Sequence, residues 1–226
     1  MSQSTIEKPS THLAELAAPI VDQIMAHPYL RELQAGTLPL ETFRFYVQQD
    51  WLYLQERVRG LAVMAGRCPD PKVGKILFER VERLVNLDNH FHKQHAAALD
   101  LDFDHITWKM NHANLAYTNH QFAAAYGGST IEAVAAMLPC PCVYLEVGKQ
   151  LIKGPQPTNS IYADWIKFYG DGRQDEAVAE FVEVYDYLAA ATDPATLARC
   201  EDIYLASTRY EWWFWDAAYK RETWPV

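Results

Sequence analysis

The residues best suited to chemistry lie on two helical stretches. The first is residues 128–148, where Pro139-Cys140-Pro141-Cys142 interrupts an otherwise apolar helical run. Ser129 and Glu132 form an S-x-x-E capping box at its start, and Ile131, Val134, Ala135 and Leu138 then recur at helical spacing. Each proline removes a backbone donor, so the ladder breaks beside Cys140. By spacing alone the thiol reads first as a buried structural cysteine, because reactivity needs surroundings that stabilise a thiolate. The second stretch is the last helix, expected over 194–222. A wheel at about 100° per residue places Glu211 between Cys200, Tyr204, Ser207, Phe214, Trp215 and Ala218. An acid in an aromatic stripe loses hydration. Its pKa rises, which suits a general acid in a pocket for a flat ligand.

A third oddity is Asp50, on the apolar stripe Phe43, Val47, Leu54 and Leu61 of a helix expected over 40–66, with Tyr53 three residues on. A carboxylate there needs a partner. An ion pair with Arg57 and a role in ligand binding are both open. A fourth is Asp88-Asn-His90-Phe-His92-Lys-Gln-His95, in a helix expected over 72–98. Asp88, His92 and His95 have metal-ligand spacing, but a polar helix face is the favoured reading. A di-iron bundle needs carboxylate-x-x-His pairs from both halves of the chain. All eight histidines lie at or before position 120.

The elements that position these groups all carry the helical period. Further helices are expected over 11–27, 29–35, 105–126, 159–168 and 173–191, with Tyr117 facing inward on the third of these. No repeat, low-complexity tract or strand-period segment is present. The fold class is therefore all-α, a bundle of about eight helices in one domain spanning 1–226, with 1–10 an irregular start. The 226 residues include seven Trp and thirteen Tyr, many of which must line a cavity or find polar partners. A net charge of −9 without a basic run argues against nucleic acid and anionic membranes. No signal core and no stretch of roughly 18 apolar residues is evident, so a cytoplasmic protein is expected. Cys68, Cys140, Cys142 and Cys200 are then expected as thiols. Cys-x-Cys is not a zinc-ribbon spacing.

Thiol, buried acid and buried aspartate among tyrosines fit nucleophilic addition to a planar, amino-bearing nitrogen heterocycle. The chain also resembles the TenA (thiaminase II) family from His27-Pro28 to Trp224. The resemblance rests on Gly36-Thr-Leu-Pro39, Phe43-x-x-Tyr46-Val-x-Gln-Asp50-x-x-Tyr53-Leu54, Tyr117-Thr-x-His120, Leu138-Pro-Cys140, Tyr144-x-Glu146-Val-Gly148, Tyr169-Gly170 and Tyr210-Glu211-x-x-Phe214-Trp215. Leu-Pro-Cys matches its cysteine-bearing branch.

The resemblance implies a haem-oxygenase-like helical fold, no metal or organic cofactor, and a homotetramer. It implies hydrolytic release of 4-amino-5-hydroxymethyl-2-methylpyrimidine from the aminomethylpyrimidine and, more slowly, from thiamin. By it, Cys140 is the nucleophile, Glu211 the acid, and Tyr53 the hydrogen-bond partner of the thiol. Asp50 grips the amino-pyrimidine edge. Tyr117, Tyr169 and Phe214 wall the ring, and Tyr144 adds a hydroxyl. An oxidase or oxygenase on the same fold, and a non-catalytic pyrimidine-binding regulator, are the rival readings. Pro141-Cys142 departs from the family pattern. Cys142 lies about 200° from Cys140 around a helix, so it reads as structural unless the break brings the two together.

Overall fold

The computed structural model describes residues 8–226, the side chains of residues 87–91 excepted. Among them are ten helices: α1 (Pro9–Met25), α2 (Pro28–Ala35), α3 (Leu40–Arg67), α4 (Pro71–His95), α5 (His112–Gly127), α6 (Thr130–Met137), α7 (Pro139–Leu151), α8 (Ser160–Gly170), α9 (Asp175–Ala189) and α10 (Pro194–Lys220). The all-α expectation is met. The expected irregular start lies mostly outside the described residues, and Pro9 and Ser10 already belong to α1.

Local chemistry sets the boundaries. His27 caps α2 by accepting from the Tyr29 N–H at 3.1 Å, and Gly36 ends that helix in the left-handed region (φ 73°). Asp70 and Asp193 cap α4 and α10 through side-chain oxygens, each with proline next in the chain. The helix expected from residue 105 starts instead at His112. The preceding segment is tied to α3: Gln49 Nε2 donates to the Lys109 carbonyl at 3.0 Å, and the Asn111 N–H donates to Gln49 Oε1 at 3.0 Å. Asn111 then caps α5 through the Asn114 N–H at 2.8 Å.

Two apolar clusters make the core. One packs aromatic residues of α2, α3, α7, α8 and α10, including Tyr46, Tyr144, Trp165 and Trp215. The Tyr46 and Trp215 rings stack at 5.2 Å and 7°. Trp165 Nε1 donates to Tyr46 Oη at 3.3 Å, which satisfies one of the polar tips the composition demanded. The other cluster, with Leu61, Met64, Val134, Phe181 and Cys200, is largely aliphatic.

The proline interruption splits the expected 128–152 helix into α6 and α7, but Leu138 between them keeps helical angles (φ −69°, ψ −36°). The 22-residue stretch Thr130–Leu151 is, against the sequence expectation, long and apolar enough to cross a membrane. Its most apolar window is 67% buried inside the fold, as a core helix requires.

The α7–α8 crossing is very close. A Cβ on Gly148 would stand 2.4 Å from the Tyr169 carbonyl carbon, and one on Gly170 would stand 2.4 Å from the Gly148 oxygen. Only hydrogen at both positions lets the backbones meet. The contact brings the Tyr144 and Tyr169 rings to 4.9 Å.

Candidate active site

Pro139 and Pro141 deprive the Ala135 and Met137 carbonyls of their helical donors, and α3 supplies a replacement for the second. Met137 O would accept from residue 141, which is proline. Arg57 Nη2 of α3 donates to it instead at 2.8 Å. Ser207 Oγ of α10 donates to the Ala136 carbonyl at 2.8 Å. The break is thereby stitched to α3 and α10, and Cys140, in the first turn of α7, is held between them. That position also favours negative charge on sulfur through the helix dipole.

On α3, Asp50, Tyr53 and Arg57 are spaced i, i+3, i+7 and all are buried. Tyr53 Oη accepts from Arg57 Nη1 at 3.1 Å and from Gln121 Nε2 of α5 at 2.8 Å. With both lone pairs engaged, its own O–H is left to face the neighbouring Cys140 thiol, whose pKa it lowers. Burial drives the Tyr53 pKa well above its ordinary value, so the tyrosine stays a donor. Burial opposes charge on Arg57, but Cys140, Tyr53 and Tyr117 outweigh it and raise its pKa, so the guanidinium remains cationic.

Glu211 of α10 is 2% exposed. It accepts from Tyr117 Oη at 2.5 Å and lies near the Cys140 thiol, each shifting the other's acidity. Burial raises its pKa to about 7, against the opposing Tyr117 bond and Arg57 charge. Burial likewise pushes the Cys140 thiol up to about 12, while Arg57 and the Tyr53 bond pull it down. The resting pair is a thiol next to a carboxyl that titrates near neutrality. Tyr117 is itself clamped in a stack, 5.2 Å from Tyr53 and 5.4 Å from Tyr210.

These groups border a cleft, open to solvent, between α3, α4, α7, α8 and α9. Four of the sequence-predicted residues line it directly: Asp50, Cys140, Tyr144 and Tyr169. The other four, Tyr53, Tyr117, Glu211 and Phe214, are buried close to that wall. Tyr53 and Glu211 reach it through the sulfur, Tyr117 through Glu211, and Phe214 by packing on Tyr53 at 5.7 Å.

The partner of Asp50 is not Arg57. Arg57 is committed to Tyr53 and Met137, and Asp50 Oδ2 meets His92 Nε2 of α4 at 2.9 Å. His92 is thus its hydrogen-bond partner, the ring edge-on to Trp51 at 5.6 Å. His95 faces Asp164 at 3.5 Å. The side chains of Asp88 and His90 lie outside the description. Among the described residues, no three His, Cys, Asp or Glu side chains are placed to hold a metal.

Sequence reasoning missed the roles of Arg57 and Gln121 on Tyr53. Their helical spacing from Asp50 and Tyr117 was the available signal. It also missed Arg80 and Phe168 in the cleft wall, for which it offered none. Cys142 opens on a different hollow, lined by Ala14, Ala17, Ala18 and Val21 of α1 and by Tyr204. Both cysteines are free thiols, and the break does not bring them together.

Known proteins share this architecture. The chain is 28% identical over 199 residues to the aminopyrimidine aminohydrolase of Bacillus subtilis (strain 168), covering 88% of this chain and 84% of that one. It is 27% identical over 213 residues to the aminopyrimidine aminohydrolase of Helicobacter pylori, covering 93% and 98%. The solved TenA homologue from P. horikoshii OT3 superposes with a TM-score of 0.86 at 28% identity, covering 96% of this chain and all of that one. Residues 15–221 match the family described as TENA/THI-4/PQQC, and the chain belongs to that family.

Proposed function

We propose that this chain is an aminopyrimidine aminohydrolase of thiamin salvage. It hydrolyses the bond between the exocyclic methylene of a 4-aminopyrimidine and its nitrogen substituent, releasing 4-amino-5-hydroxymethyl-2-methylpyrimidine. The aminomethylpyrimidine is the preferred substrate and thiamin a slower one. The observation that carries this reading is Cys140 on a cleft wall shared with Asp50, with the Tyr53 hydroxyl and the Glu211 carboxyl close enough to shift its acidity. The names of the B. subtilis and H. pylori relatives support it.

In this mechanism Asp50, held by His92, accepts from the exocyclic 4-amino group, while Tyr144 and Tyr169 bound the ring. Glu211 takes the thiol proton as sulfur bonds to a ring carbon and delivers it to a ring nitrogen, which leaves Glu211 as a carboxylate. Thiol-to-ring addition removes aromaticity. The released electron density expels the substituent from the methylene, an ammonium leaving as ammonia and a thiazolium as the neutral thiazole. Water adds to the methylene and gives a proton to Glu211, which passes it to the departing ammonia or to solvent. The carbon–sulfur bond then breaks as the ring nitrogen returns its proton, through Glu211, to sulfur. Tyr53 and Arg57 stabilise the sulfur while it carries negative charge. Proton transfer of this kind contributes about 10²–10⁴-fold.

The test is a hydrolysis assay with aminomethylpyrimidine beside thiamin. Faster release of the hydroxymethyl product from the former, abolished in Cys140→Ser, is expected. Wild-type turnover in Cys140→Ser refutes the assignment.

A further inference from the structure

The cleft wall away from Glu211 is built from arginines. Arg57, Arg80 and Arg83 line the same cleft as Cys140 and Asp50. In a chain of net charge −9, such a concentration of cations is not background. Arg80 is 5% exposed, and its hydrogen-bonding capacity is not used up. Nη1 donates to the Ala177 carbonyl at 2.7 Å, and the guanidinium lies over the Phe181 ring at 4.2 Å. Nε is buried and has no partner among the described residues. A buried guanidinium normally meets a carboxylate or phosphate through its fork, and here no carboxylate is paired with it. Arg83, half-buried, makes one 3.4 Å contact with Glu180. Asp50, the acid in the cleft wall, is already engaged by His92.

We propose that Arg80, assisted by Arg83, forms an oxyanion subsite beside the pyrimidine site, suited to a phosphate group on the substrate's leaving portion. This inference rests on the aminopyrimidine reading for the placement of the ring. The anion site itself rests on the arginines alone. A phosphate there meets the guanidinium edge on the cleft wall and neutralises part of a buried cationic cluster. The same chemistry also fits free inorganic phosphate held next to the reacting substrate.

Two measurements separate these sources. Calorimetry with inorganic phosphate reads the anion site directly in the wild type and in Arg80→Gln and Arg83→Gln. Hydrolysis of thiamin monophosphate beside thiamin reads whether the substrate carries the anion. We expect kcat/KM to favour the phosphate ester in the wild type. Arg80→Gln should lower that ratio about tenfold or more, with a smaller fall for half-buried Arg83→Gln. Arg80→Lys, which keeps charge and loses the fork, should recover part of it. If Arg80→Gln fails to fold, the Arg83→Gln ratio carries the test. Arginine-dependent phosphate binding without preference for the ester supports the site and assigns it to the free anion. Phosphate binding in a protein that hydrolyses no aminopyrimidine supports the site and refutes the enzymatic reading. No arginine-dependent phosphate binding together with an unchanged ester ratio overturns the proposal.

Discussion

Cys140 and Cys142 stand two residues apart on α7, both half-buried, both pushed by burial to a pKa of about 12. Their surroundings differ. Around Cys140 are a tyrosine hydroxyl held in donor orientation by Arg57 and Gln121, a carboxyl titrating near 7, and a cleft edged by Asp50. Around Cys142 are the alanines of α1 and the Tyr204 ring, with Asp22 and Glu146 on the same hollow but neither among the groups that shift its thiol. Arg80 and Arg57 influence Cys142 electrostatically, but no carboxyl is bonded to it. A thiol's resting acidity therefore does not separate a nucleophile from a structural cysteine here. The separation lies in a proton acceptor within reach and a donor to receive the developing charge.

If that contrast is correct, removing the acceptor should make Cys140 resemble Cys142. Glu211→Gln is expected to lower kcat/KM for aminopyrimidine hydrolysis by about 10²–10⁴-fold, in a protein that still folds. Unchanged turnover would break the contrast. Tyr53→Phe removes the hydroxyl that faces the sulfur and should cost about ten- to a hundredfold in kcat, leaving the Glu211 pH dependence in place.

The pH profile sharpens the same point. Below pH 7 the Glu211 carboxyl already holds a proton and cannot take the thiol's. Activity should therefore rise with pH through about 7, and that limb should vanish in Glu211→Gln. Stability should run the other way. Glu211 has a folded-state pKa raised above its unfolded value of 4.5, so its contribution is fully present below pH 4.5 and lost as pH rises through about 7. Glu211→Gln should raise Tm by roughly 3–8 °C at pH 8 and by less at pH 5.

The smallest change tests what aligns the cleft. Gly148→Ala places a methyl against the Tyr169 backbone and should destabilise by about 1–3 kcal/mol, seen as a lower denaturation midpoint. If stability and KM are both unchanged, the close crossing is not what positions Tyr144 and Tyr169.

Much of this arrangement was legible before any coordinates. The helical period marked Glu211 as an acid in an aromatic stripe, and Cys200, Tyr204, Ser207, Phe214, Trp215 and Ala218 are all buried beside it. Asp50 stood out because a carboxylate on an apolar stripe demands a partner. The 200° separation of the cysteines was likewise readable, and they do face different hollows. Long-range pairing was not readable. Asp50 finds His92, 42 residues away, and not Arg57 on its own helix. Arg57 is drawn off by a carbonyl that Pro141 leaves free, a consequence visible only once α3 and α7 are packed. Arg80 carries no signal of its own in the sequence, because its burial comes from α9, whose Ala177 carbonyl and Phe181 ring it meets. The 105–111 segment was read as helix because its local period cannot report that Gln49 holds it extended.

The central claim is that one thiol of the pair reacts and the other packs. The direct measurement is kcat/KM for aminomethylpyrimidine hydrolysis in Cys140→Ser and Cys142→Ser, purified in parallel and checked for equal melting behaviour. A loss of about 10³-fold or more in Cys140→Ser, with Cys142→Ser within about threefold of wild type, is the predicted result. Equal losses in both, or full activity in Cys140→Ser, would contradict it.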